Sequence, residues 1–90
     1  MKREELLNTI DAALVVERWD YARDTAQILL DVWPNDLAAL CGFARAIAPT
    51  RPMEAIARLR RVVAADGQDA DAQAFLARLL AEQGHPKEAE

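Results

Sequence analysis

The sequence predicts an all-α protein whose helices are joined as antiparallel hairpins. Three observations predict it. Apolar residues recur at helical spacing in each stretch between chain breakers. No stretch alternates with the period of a strand, and no two-residue hairpin turn joins two such runs. The breakers leave connections of only about two to five residues, which turn each helix back along its predecessor.

The first helix carries Leu6, Leu7, Ile10, Ala13 and Leu14 at i, i+1, i+4, i+7 and i+8, an apolar stripe on one face. The second runs from about Asp20 to Trp33, with Ala22, Ala26, Leu29, Leu30 and Trp33 on its stripe. It stops at Pro34, which pushes the preceding residue out of the α region. In "NDLAALCGFARAIAP", Asn35 or Asp36 caps a third helix that Pro49 bounds. Thr50 or Arg51 leads into the fourth, "PMEAIARLRRVVAADG", with the stripe Met53, Ile56, Leu59, Val62 and Val63 and with Gly67 past its end. The fifth, "DADAQAFLARLLAEQG", starts at an Asp cap and carries Phe75, Leu76, Leu79 and Leu80. Gly84 stops it, and Pro86 opens a short sixth.

Composition narrows the function. Ninety residues make one small domain, which buries only roughly 60% of its unfolded surface. A net charge of −4 and a pI near 4.9 argue against wrapping nucleic acid, which needs a basic face. Runs such as "AALVV" fall far short of the roughly 18 residues of a membrane span. Acids interrupt the basic start at once, so no signal peptide is expected. A single cysteine excludes an internal disulfide framework, and the expected compartment is the cytoplasm.

The usual catalytic constellations are missing. The chain has no serine, one cysteine and one histidine. A Cys41/His85 pair would need distant residues to meet, with no evident group to orient the base. Cys41 reads as a packing residue beside Gly42, and His85 as a turn residue. Asp69 and Asp71 flank a helix start, where negative charge suits the macrodipole, and no metal-ligand spacing exists. Three glycines form no phosphate loop. No enzymatic activity, metal or cofactor is expected.

The chain resembles itself. "ERWDYARDTAQILLDVWPND" aligns without a gap on "TRPMEAIARLRRVVAADGQD", placing Ala22 on Ala55, Leu29 on Val62 and Pro34 on Gly67. "GHPKEAE" then falls under "TRPMEAI", with Pro86 on Pro52 and Ala89 on Ala55. The spacings are 33 and 34 residues. This pattern resembles the tetratricopeptide repeat family, whose unit is a helix–turn–helix with an alanine early in its second helix and a proline at its end. Ala22, Ala55, Ala89 and Pro34 match. The usual aromatic and glycine of the first helix are replaced by Leu6 and Ile10, then by Leu40 and Ala44. The resemblance implies a right-handed solenoid of five helices plus the short sixth. Its single domain, 1–90, divides into units of about 3–36, 37–69 and a truncated 70–90. A plain helical bundle is the other reading of the same hairpins.

The resemblance also implies a use. The first helices of the units would line a groove that takes a peptide or helix of a partner protein, at Leu7 and Asp11, Cys41 and Arg45, and Ala74 and Arg78. Each pair is four apart and shares a helix face. Arg45 and Arg78 occupy matching places, where two guanidiniums would grip an acidic partner, or would pair with acids of neighbouring helices. The Lys/Asn set with which some members hold a C-terminal carboxylate is absent. Residues 45 to 61 set Arg45, Arg51, Arg58, Arg60 and Arg61 against Glu54 alone, a local charge of +4 between flanks of −4 each. Arg58 and Arg61 are the candidates for a phosphate contact. Trp19 and Tyr21 bracket a turn, and Trp33 is a candidate anchor for a partner.

The truncated sixth helix leaves Phe75, Leu76, Leu79 and Leu80 as two stripes that the fourth helix cannot cover alone. An exposed terminal stripe is therefore expected. It implies a longer parent chain, a stub helix acting as cap, or a covering partner, which includes a second copy in a homo-oligomer.

Overall fold

Five helices follow one another, with no strand among the described residues: α1 (Arg3–Val15), α2 (Trp19–Val32), α3 (Leu37–Ile47), α4 (Pro52–Ala65) and α5 (Ala70–Glu82). The structure is a computed structural model and describes residues 2–84. The expected sixth helix, His85 and Ala89 lie outside the described residues.

The punctuation acts as its chemistry requires. The Asp36 carboxylate accepts from the Ala39 amide at 3.2 Å and caps α3; Asp69 does the same for α5 through the Ala72 amide at 3.0 Å. Pro52 opens α4, where its missing N–H costs nothing. Gly84, at φ 78°, closes α5, its amide donating to the Ala81 carbonyl at 3.1 Å. The α1–α2 turn uses the same αL device without a glycine. Glu17 sits at φ 60°, its amide donating to the Leu14 carbonyl, while the Arg18 amide donates to the Ala13 carbonyl at 2.8 Å. Those are the two bonds of a Schellman motif.

Each helix packs on the next, and α1 also packs along α3. Neither α4 nor α5 makes a comparable contact with α1, so the helices stack in line rather than close around one centre. The molecule is accordingly elongated, 42 × 25 × 18 Å. Small residues make the close crossings possible. Ala22, Ala26, Ala39, Ala44, Ala55 and Ala72 are all fully buried. Gly42 lets α1 approach α3: a Cβ there would stand 2.8 Å from Cγ2 of Ile10. Around these crossings Ile10, Leu29, Ile47, Leu59 and Val62 fill the core, each worth about 1.5–3 kcal/mol of burial.

The expected α4 stripe is too generous by one residue. Met53 is 58% exposed. At about 100° per residue it stands about 120° around the helix from Leu59, whereas Ala55, Ile56 and Val62 stand within about 60°. Periodicity alone does not say how wide an arc a neighbouring helix covers.

Candidate partner-binding groove

The first helices of the three hairpins, α1, α3 and α5, provide the expected groove positions. Cys41 and Arg45 of α3 and Ala74 and Arg78 of α5 line one hollow of about 400 Å³, together with Asp71 and Phe75. The equivalent residues of α1 do not line it. Leu7 is half-buried against the core. Asp11 is exposed and acts on Cys41 through its charge. What α1 contributes instead is Leu14 and Val15, on a neighbouring cleft of about 380 Å³ that also takes in Trp19 and Leu79.

Phe75 is approached by both arginines. The Arg45 guanidinium carbon is 5.6 Å from the ring centroid and that of Arg78 is 5.9 Å away, both within cation–π range. Arg78 also donates to the Glu82 carboxylate at 3.0 Å, a pairing within its own helix. Arg45 makes no ion pair among the described residues. Among the described residues, neither arginine is bonded to an acid of a neighbouring helix. Each guanidinium packs on the same aromatic ring.

Cys41 is a poor nucleophile. Burial pushes its thiol up, and the charges of Asp69, Asp71 and Asp11 push the same way against the opposing Arg45. A thiol held in this state stays protonated near neutral pH. His85, the one histidine of the chain, lies outside the described residues.

The terminal stripe requires a correction. Leu79 and Leu80 are only 4% and 6% exposed, and Phe75 and Leu76 are half-buried against the same core. The four do not form two stripes. They span one arc of about 140°, with the fully buried Ala72 inside it. The α3 end also reaches this arc, since Ala48 and Pro49 share a cleft with Leu79. Exposed apolar side chains lie elsewhere, on Val15, Val16, Tyr21, Ile28, Val32 and Trp33 of the first hairpin and on Met53 of α4.

The other sequence candidates separate in the same way. Arg58 is half-buried with its guanidinium carbon 4.3 Å from the Phe43 centroid, and its Nε is buried without a hydrogen-bond partner. Arg61 remains exposed. Trp19 is half-buried, Tyr21 is exposed, and Trp33 is partly exposed at the end of α2. Sequence reading missed Phe75 as a groove residue. Its signal was present: Phe75 is flanked by Ala74 and precedes Arg78 by three, which places ring and guanidinium on one helix face.

Comparison with known proteins agrees with this architecture. A family model described as tetratricopeptide repeat matches residues 46–90, from the end of α3 onward. The chain belongs to the tetratricopeptide repeat family. Repeats of this family mediate protein–protein interaction, and no helix here is long and apolar enough to cross a membrane, among the described residues. No curated protein and no solved structure matches the chain.

Proposed function

We propose that the chain is a non-catalytic interaction module that receives a peptide or helix of a partner protein in the groove of α1, α3 and α5. It acts as one part of a larger protein or assembly. The observation that carries this reading is the convergence of Arg45 and Arg78 on the Phe75 ring, with Arg45 free of any ion pair among the described residues. Two arginines on one wall, Arg45 without an ion pair and Arg78 paired only within its own helix, suit an acidic partner. A lone half-buried thiol, kept protonated by its surroundings, suits the reducing cytoplasm.

Arg45→Glu combined with Arg78→Glu tests the reading. Both residues are exposed, so the melting temperature should barely move. Proteins retained by the immobilised wild-type domain should be lost from the variant; unaltered retention would remove the groove from consideration. Self-association through the last hairpin has less in its favour, because Leu79 and Leu80 are already buried within one chain.

A further inference from the structure

The uneven charge of the chain has a counterpart on its surface, where α2 and α4 turn opposite chemistry to solvent. On α2, Tyr21, Ile28 and Val32 are 55%, 43% and 61% exposed. At about 100° per residue they lie within about 40° of one another, an apolar stripe about 17 Å long. Asp20, Asp24 and Asp31, all exposed, form a ridge about 80° to one side of it. Arg23 pairs with Asp20 at 3.6 Å and with Asp24 at 3.0 Å, and Gln27 donates to Asp31 at 2.9 Å, so the ridge keeps a net negative charge. None of these residues lines the hollow or the cleft of the groove.

The positions of α4 that match the three acids, 33 residues on, are Met53, Ala57 and Ala64. They too are exposed, and they form an uncharged ridge of the same length. Arg60 stands about 40° to one side of it and Arg61 about 60° to the other, both exposed. The one acid of α4, Glu54, is half-buried and bonded to Arg51.

Because the hairpins stack in line, matched positions of α2 and α4 face the same side of the molecule. Two α2 faces would set acid against acid, and two α4 faces arginine against arginine. An α2 face against an α4 face opposes unlike charges and seats large apolar side chains over small ones. A two-fold axis along the helices lays α2 of each copy on α4 of the other, so that both contacts form together and close.

We infer that the chain pairs with a second copy of itself through this face. Tyr21, Ile28 and Val32 of one copy pack over the Met53–Ala57–Ala64 ridge of the other, with Asp24 and Asp31 opposite Arg60 and Arg61. The pairing does not rest on the groove of α1, α3 and α5.

Sedimentation equilibrium over a wide range of concentration tests it. The wild type should pass from one chain to two, and added salt should weaken the pairing. Ile28→Asp should weaken it at least about tenfold. Asp24→Arg with Asp31→Arg should leave single chains, and so should Arg60→Glu with Arg61→Glu. Mixed together, those two variants should pair again, since each contact then sets arginine against acid. All these substitutions fall at exposed positions, and each variant is first shown to melt like the parent. A wild type that stays a single chain would overturn the inference, even if a synthetic Leu–Lys helix binds the stripe, which would then belong to a basic partner. So would a dimer that these substitutions leave unchanged, or a mixture that does not pair. None of these outcomes bears on the groove, which the Arg45 and Arg78 substitutions test separately.

Discussion

The first and second hairpins are the same unit built twice, yet they meet their surroundings differently. Along α3 nearly every position is covered: Ala39, Leu40, Gly42, Phe43, Ala44, Ala46 and Ile47 are buried. Along α1 only Ile10, Ala13 and Leu14 are. The difference is one of position, because α3 has α1 and α2 on one side and α4 on the other, whereas α1 packs only on α2 and α3. The sequences follow suit. "LAALCGFARAI" is apolar nearly all round, while "REELLNTIDAALV" keeps one polar face. Within one repeat architecture, place in the stack decides how much hydrophobic surface a helix may carry.

Equivalent substitutions in the two hairpins put this to the test. Leu40 is buried and its counterpart Leu6 is half-buried. Leu40→Ala should cost about 3 kcal/mol and Leu6→Ala about 1 kcal/mol by urea denaturation. Equal costs would mean that the place in the stack does not matter. The next largest effect concerns Gly42, whose counterpart Asn8 is exposed. Gly42→Ala gains helix propensity but drives its Cβ into the branched side chain of buried Ile10, for a net loss of about 1 kcal/mol. Asn8→Ala should be neutral or slightly stabilising by the same measurement.

The N-termini differ as well. Asp36 caps α3 and also receives the Arg3 guanidinium from α1, one of whose bonds to Asp36 is 3.2 Å long; Lys2 gives α1 no side-chain cap. Asp36→Ala should cost about 1 kcal/mol from the lost cap alone. The Arg3 hydrogen bond holds the Asp36 carboxyl below its ordinary value, with the Ala39 amide adding to the effect against the opposing burial. A depressed carboxyl contributes stability that is complete above its unfolded pKa, about 3.9. That contribution fades as pH falls through the lower folded value. The urea midpoint of the wild type should therefore drop more steeply below about pH 4 than that of Asp36→Asn. Parallel curves would show that the bridge contributes nothing.

The smallest effect lies in the turns. Glu17 holds an αL position in the first hairpin, a conformation that glycine adopts without a Cβ penalty. Glu17→Gly should raise stability by up to about 1 kcal/mol, seen as a melting temperature a few degrees higher. A lower melting temperature would show that the Glu17 side chain contributes more than its backbone strain removes.

Much of this molecule is written locally. Asp36, Pro52, Asp69 and Gly84 mark helix ends because each satisfies or omits backbone hydrogen bonds within a few residues of itself. Ala22 over Ala55 reveals the repeat because a helix crossing needs a small side chain wherever it recurs. Only the tertiary structure decided the rest. Periodicity tells which side of a helix is apolar, but not how wide an arc its neighbours cover, so Met53 is exposed while Leu79 and Leu80 are buried. Nor does it tell what lies across a gap. Arg3 meets Asp36 across 33 residues of chain, Ile10 meets Gly42, and Arg45 of α3 reaches the Phe75 ring of α5. These contacts depend on the angle and distance at which rigid helices pack, and those are properties of helix pairs rather than of any one segment.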